Sequence, residues 1–300
     1  MDLAICSTPL HLIQIINLIK CEKIDKCDVF FYCEYSEQMK YYVDEIKKNI
    51  KGECVFYNVD RRFPFYSFYL KKKFKKRKYN TVYLANIDSI YCHFILSYIR
   101  FEKLNTIDDG TLNLVYDGIF YNDKRCWYEK LIYGFFGCKY TLKKTKNTIN
   151  KHYSLYKLPN ISSNVESVKL FSDIVLSTKT KKAKEINILL GTVFENLSKN
   201  SDFLIKQIEK FIENKKFLYI KHPREKTNVI KGVSYIEGLD IAEDKIIRLL
   251  DEYSTINIYG FNSTTQLNLS NVENINNFVF LSEYISIQYD FEYDYKIISL

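Results

Sequence analysis

The residues with the most chemical content lie at the ends of short apolar runs. "FLYIKHPRE" (217–225) carries a strand-like run straight into His222 and Pro223, in a chain with only four histidines and four prolines. An imidazole, with an unperturbed pKa of about 6.5, can give a proton or a strong hydrogen bond near neutral pH. Pro223 restrains the backbone of His222 to extended conformations and so fixes the direction in which the ring leaves the strand. A general acid is one reading; a strand-terminal histidine making an ordinary hydrogen bond is the other. "IDDGT" (107–111) places Asp108 and Asp109 at a second strand end, ahead of Gly110. Carboxylates there suit a general base, and equally a turn with a helix-capping aspartate.

Two more strand ends carry polar residues. In "LLGTVFEN" (189–196), Gly191 and Thr192 let the backbone approach a ligand closely, and Glu195 is a further carboxylate. In "FNSTTQ" (261–266), Ser263 and Thr264 follow a strand and open a helix, where free N–H groups and the helix dipole favour a phosphate. Simple N-capping is the alternative. Arg224 suits a carboxylate or phosphate partner, and suits a solvated position as well. Four polar strand ends in one chain are harder to dismiss than any one of them, because open α/β sheets bind ligands beyond the carboxyl ends of their strands.

The elements that must position these residues alternate. β-branched and aromatic runs at 2–6, 28–33, 53–58, 81–85 and 104–107 are mostly separated by helical patterns such as 36–50 and 88–101. This predicts parallel βαβ units and a doubly wound sheet. The domain junction falls in or just after a polar, irregular region (143–164). The second half restarts with strands at 186–190, 217–221 and 256–261 and helices over 198–215 and 242–253. Leu204, Ile208, Phe211 and Ile212 share one face of the first of these helices. The expected organisation is two facing Rossmann-like domains with mainly parallel sheets. The first spans 1–165 and the second 166–300.

Composition bounds the class. Three hundred residues with 47% hydrophobic and 16% aromatic content build a core and exclude a disordered chain. The N-terminus has no basic leader segment, and no apolar run approaches the roughly 20 residues of a spanning helix. Eight cysteines form no CxxC pair. Buried reduced thiols fit them better than a disulfide framework or a zinc site, which points to the cytoplasm. Of the net charge of +8, seven basic residues lie within "KKKFKKRK" (71–78). That run is a solvated helix face or a contact with an anionic surface, either a charged acceptor or a membrane leaflet; the leaflet would place the protein peripherally at the inner face of the plasma membrane. No recognised nucleic-acid motif accompanies it, so nucleic acid is not an expected partner.

The order "DDGTLNL", "KHYSLYK", "LLGT", "KHPR", "IYGFNST", together with "ICSTPLHL" and "VYLANIDS", resembles the bacterial lipooligosaccharide sialyltransferases, glycosyltransferase family 52. The resemblance spans roughly residues 3–285. It implies a GT-B fold, CMP-sialic acid as donor held by the second domain, a galactose-terminated glycan of lipooligosaccharide or capsule type as acceptor held by the first, and inversion without a metal or cofactor. His222 then assists the phosphate leaving group, and Glu243 matches a family glutamate near the nucleotide. A first-turn helix charge is the other account of Glu243. The Pro223–Arg224 turn joins Gly191, Thr192, Ser263 and Thr264 as donor contacts. The family base follows the "LLGT" strand, but that place here is Phe194, beside Glu195. The base is therefore one of Asp108 and Asp109, with Glu195 as rival. His152, in "KHYSLYK", has no chemical role and is expected in a linker contact. His11 and His93 are expected to be packing residues. The family includes a domain-swapped dimer, which adds a homodimer to the candidate partners. Two other classes remain open: a GT-B enzyme using another nucleotide sugar, and a basic surface-binding homologue without catalysis.

Overall fold

The computed structural model describes residues 1–156, 160–171, 184–225, 229–285 and 293–300. The chain divides into two compact units, Met1–Asp173 and Ile174–Leu300.

The first unit opens with β1 (Asp2–Cys6), α1 (Pro9–Lys20), β2 (Cys27–Cys33), α2 (Glu37–Asn49) and β3 (Cys54–Asn58). It continues with α3 (Phe65–Phe74), β4 (Lys78–Leu84), α4 (Ile90–Tyr98) and β5 (Arg100–Ile107). α5 (Trp127–Phe135), α6 (Leu142–Thr148), β6 (Ile149–Ser154) and β7 (Val165–Ser167) complete it. The strands form one seven-stranded sheet in the order β3-β2-β1-β4-β5-β6-β7, and every pairing is parallel. β1 and β2 are buried almost throughout, as a sheet covered on both faces requires. One core joins Leu3, Ile5, Phe30, Val82 and Leu84 of the strands to Leu70 and Phe74 of α3 and to Phe94 and Ile95 of α4.

The second unit runs β8 (Glu185–Leu190), α7 (Phe194–Leu197), α8 (Ser201–Ile212), β9 (Phe217–Ile220), β10 (Ser234–Tyr235) and α9 (Ala242–Leu249). β11 (Thr255–Gly260), α10 (Thr264–Leu269), β12 (Ile275–Leu281) and β13 (Lys296–Ser299) follow. Its six strands, all parallel, lie in the order β10-β9-β8-β11-β12-β13. α8 starts where the Asn200 side chain accepts a hydrogen bond from Phe203 N. It buries Leu204, Ile208 and Ile212 against Leu189, Phe217 and Tyr219.

Two expectations change. The polar region 143–164 is not a linker: it contains α6 and β6, and β6 pairs with β5. Its polarity concealed a strand because the buried His152 and Ser154 find polar partners inside the unit. Residues 165–167 form β7 on the edge of the same sheet, so the first unit extends past residue 165. All eight cysteines are free thiols. Among the described residues, no helix is long and apolar enough to cross a membrane.

Candidate functional site

Each sheet reverses its strand order at one place, β1/β4 in the first and β8/β11 in the second. Ligands of open α/β sheets bind outside the carboxyl ends of strands at such switch points. The singled-out residues follow β1, β5, β8, β9 and β11, at or beside those places.

In the first unit the two adjacent aspartates have different surroundings. Asp108 is fully buried, and its carboxylate accepts from Asn113 Nδ2 at 2.6 Å, His152 Nε2 at 3.0 Å, Leu155 N at 2.6 Å and the Ser154 hydroxyl at 3.1 Å. His152 is itself fully buried on β6 and pairs through Nδ1 with the Thr106 hydroxyl at 2.8 Å. The Gln14 side chain of α1 clamps the Asp108 backbone, donating to its carbonyl at 2.8 Å and accepting from its N–H at 3.1 Å. His152 is thus an internal partner of Asp108 rather than a linker contact. Asp108 is shut off from any substrate, which corrects its candidacy as base: with four donors on its oxygens it ties β5 to β6 and the segment after it.

Asp109 turns the other way. Its side chain is 12% exposed, and its Oδ1 lies 2.9 Å from His11 Nε2. His11 stands in the first turn of α1, which begins where Thr8 caps it and Pro9 occupies its first position. The Ser7 N–H points at His11 Nδ1 at 3.2 Å, so the neutral ring carries its proton on Nε2 and donates it to Asp109. Among the described residues, Asp109 Oδ2 has no partner. His11 was expected only to pack; it is buried, but it also orients a carboxylate at the end of β5. The signal lay in "STPLHL": a histidine one turn into the helix after the first strand, at the same sheet edge as "DDG". His93, by contrast, bonds the Ile87 carbonyl at 2.8 Å, and burial and the neighbouring Arg125 push its pKa down to about 4.

In the second unit His222 follows β9. It is the only one of the four histidines that is not buried. Arg224 N donates to His222 Nδ1 at 3.1 Å, which again leaves the proton of the neutral ring on Nε2. Partial burial, with Arg224 adding to it, lowers the pKa of the imidazole below its ordinary value. Glu225 steadies this turn: its Oε2 accepts from the Tyr219 hydroxyl at 2.9 Å and from His222 N at 3.3 Å. Burial raises the Glu225 pKa, and these two donors oppose the rise. Glu225 closes the quoted run "FLYIKHPRE", but no sequence pattern assigned it a role. Gly191 has a packing reason to be glycine. A Cβ there would lie 2.6 Å from Glu225 Oε2 and 2.7 Å from both His222 N and the Tyr219 hydroxyl. The Cβ side of Gly191 is therefore filled by the protein's own turn. Thr192 is half-buried, Pro223 and Arg224 are exposed, and Glu195 is exposed in α7 while its neighbour Phe194 is a core residue packed on Phe261.

Around β11, Ser263 caps α10 by accepting from Gln266 N at 3.3 Å, and Gln266 Oε1 accepts from Ser263 N at 3.1 Å. The Ser263 oxygen is thus committed to the cap, but its hydroxyl proton is still available to an anion. Thr264 is half-buried at the first position of α10. Glu243, on α9, is buried and accepts from Asn268 of α10 at 2.9 Å. Burial raises its pKa, and the Asn268 hydrogen bond opposes the rise.

Residues 25–282 match the sequence profile of glycosyltransferase family 52. The chain belongs to that family. It is 30% identical over 279 residues to a CMP-N-acetylneuraminate:β-galactoside α-2,3-sialyltransferase of Pasteurella multocida, covering 90% of this chain and 88% of the relative. It is 31% identical over 207 residues to an N-acetyllactosaminide α-2,3-sialyltransferase of Haemophilus influenzae, covering 69% of this chain and 66% of the relative. In structure it is similar to Staphylococcus aureus MnaA solved with UDP, with a TM-score of 0.55 and 13% identity over 94% of this chain and 79% of the other. The fold is therefore GT-B, and the resemblance carried by "DDGT", "HPR" and "FNST" is borne out at the level of the family. The family 52 motifs sort into two kinds here. Asp108 and Gly191 hold the frame, whereas Asp109 and His222 present oriented polar atoms at strand ends.

Proposed function

We propose that this protein is an inverting sialyltransferase that moves sialic acid from CMP-sialic acid to a galactose-terminated glycan, forming an α-2,3 linkage. The observation that carries the reading is His222, a half-buried imidazole with Nδ1 occupied by Arg224 N and an Nε2–H left to donate. The names of the Pasteurella and Haemophilus relatives support the donor, the acceptor class and the linkage.

In this reaction the acceptor hydroxyl oxygen bonds to the anomeric carbon on the face opposite CMP, and the bond from that carbon to the phosphate oxygen breaks. Negative charge collects on the leaving phosphate. The Nε2–H of neutral His222 stabilises it with a hydrogen bond, in keeping with the lowered pKa. The acceptor hydroxyl loses its proton to Asp109 Oδ2, while His11 holds Oδ1 in place. Glu195 is the rival base, being exposed and next to the family position. Glu243 binds the ribose hydroxyls, Ser263 and Thr264 the phosphate, and Thr192, Pro223 and Arg224 line the donor. The chemistry asks for no metal and no cofactor beyond the donor.

The acceptor is of lipooligosaccharide or capsule type. The enzyme works in the cytoplasm, with the basic run 71–78 meeting the inner face of the membrane. Incubation with CMP-sialic acid and a panel of galactose-terminated oligosaccharides, followed by linkage analysis of the product, tests this reading. CMP release without glycosidic product, or turnover only with another nucleotide sugar, would overturn it.

A further inference from the structure

The turn that follows β9 is closed on itself by main chain and side chain together. Glu225 N donates to the His222 carbonyl at 2.9 Å, and His222 N donates back to Glu225 Oε2 at 3.3 Å. These two bonds hold the backbone of residues 222–225. Arg224 N, inside the same turn, donates to His222 Nδ1 at 3.1 Å and holds the ring. Pro223 has no N–H, so Arg224 supplies the first main-chain donor after His222 that the imidazole can meet.

The Glu225 side chain is the part of this turn that reaches into the rest of the unit. Its Oε2 also accepts from the Tyr219 hydroxyl at 2.9 Å. Tyr219 has no exposed surface; it packs in the core with residues of α8, and its ring meets Tyr235 edge-on at 5.0 Å. Burial and the Glu225 carboxylate push the Tyr219 pKa up, so the hydroxyl keeps its proton and remains a donor. The carboxylate has room because residue 191 carries no side chain: a Cβ there would lie 2.6 Å from Oε2. Gly191 N donates in turn to the Ile220 carbonyl at 2.8 Å, which holds the end of β8 to β9. An exposed turn is thereby anchored to buried strands.

A neutral imidazole has two tautomers, and the hydrogen bond made by one nitrogen decides which of them is present. Pro223 restricts the backbone of His222 but cannot choose between them. Arg224 N makes that choice by occupying Nδ1, and it can do so only while the turn keeps it there. We propose that Glu225, anchored by Tyr219, is a positioning residue of the reaction. It keeps Arg224 N on His222 Nδ1 and so fixes both the tautomer and the direction of the imidazole that meets the leaving phosphate. The proposal rests on His222 acting at that phosphate, and it adds the device that readies the ring before the donor arrives. The logic is that of a proton-transfer group oriented by a third residue. A carboxylate that merely closed a turn would contribute stability and leave the ring indifferent to its loss.

NMR of the full-length protein carrying isotope-labelled histidine tests this, because nitrogen–proton correlations distinguish the protonated ring nitrogen from the bare one. Spectra are taken at about pH 8, above the ordinary imidazole value, and His222→Gln assigns the His222 signals. Wild type should show one tautomer, with the proton on Nε2. In Glu225→Ala both nitrogen signals should move toward the average of the two tautomers. Its kcat should fall by about tenfold or more, with KM for the donor nearly unchanged. Glu225→Gln keeps an oxygen that can accept from Tyr219 and from His222 N, so it should restore the wild-type signals and most of kcat. Tyr219→Phe removes one of the two donors and should fall between. The spectra need no turnover, so they hold or fail independently of the sialyltransferase reading. A wild-type ring of mixed tautomers overturns the proposal, whether or not Glu225→Ala folds. So does a folded Glu225→Ala that keeps the wild-type signals, or one that loses them at unchanged kcat.

Discussion

His11 Nε2 lies 2.9 Å from Asp109 Oδ1, whereas the adjacent Asp108 is enclosed by four donors of its own. Two neighbouring carboxylates thus answer to different demands, and amide substitutions separate them. Asp109→Asn should lower turnover at saturating acceptor by about 10²–10⁴-fold with CMP affinity kept. Asp108→Asn should instead cost about 3 kcal/mol of stability, because it disrupts a buried, fully bonded carboxylate. Glu195→Gln should do little to either quantity. Steady-state rates with thermal or urea unfolding check all three, and abolition of turnover by Glu195→Gln alone would move the base to the loop after β8.

His11 acts through Asp109, so its variants should reveal orientation rather than packing. Gln at position 11 can still donate an N–H towards Asp109, and Ala cannot. His11→Gln should retain several times the kcat of His11→Ala, with similar KM for the acceptor. Equal kcat values for the two variants after correction for folded fraction would reduce His11 to a packing residue.

His222→Ala should leave CMP affinity nearly unchanged and lower turnover by about 10²–10⁴-fold. Because burial and Arg224 lower the pKa of this ring, it is neutral in the free enzyme at pH 7 and works through Nε2–H. The rate constant kcat/KM should therefore show no fall as pH rises from 6 to 8. A decline across that interval that disappears in His222→Gln would mean that the imidazolium is the active form.

Donor affinity should report on Glu243 and Ser263. Loss of a charge-assisted hydrogen bond in Glu243→Ala, or of the hydroxyl in Ser263→Ala, should weaken CMP binding by about 1–3 kcal/mol in calorimetry. The raised pKa of Glu243 sets a direction as well. Its carboxyl takes up a proton at a higher pH than an ordinary glutamate, so CMP affinity should begin to fall during acidification while still above pH 4.5. The phosphate titrates near pH 6 in both proteins, so the comparison is with Glu243→Gln, whose affinity should fall less over the same range. Parallel curves would place the nucleotide elsewhere.

The regular part of the fold was legible because buried parallel strands leave continuous apolar runs, as in "VFFY" of β2 and "INILL" of β8. β6 was not. Its buried end is "HYS", polar residues that become compatible with a core only beside Thr106 and Asp108, on an element far away in sequence. The expected helix over 88–101 likewise overran, because "YIRF" keeps an apolar pattern while β5 already begins at Arg100. At the site, types and positions were visible but directions were not. Asp108 and Asp109 are consecutive in sequence and point opposite ways, as successive residues leaving a strand do. His11 was overlooked for a related reason: an apolar helix face and a carboxylate partner nearly a hundred residues away cannot both be seen in a local pattern.

The strand order has a consequence for how the chain is made. β1 takes β2 as one neighbour, but its other neighbour is β4, with Leu3 opposite Val82; β8 likewise waits for β11, with Ile186 opposite Ile256. During synthesis each of these central strands must keep one bare, apolar edge until a much later segment leaves the ribosome. Closing such distant pairs is the slow part of folding a parallel sheet. An incomplete chain ending between α2 and β4 would present β1 as an open edge able to recruit another chain, so the most aggregation-prone form of this protein is a half-made first unit.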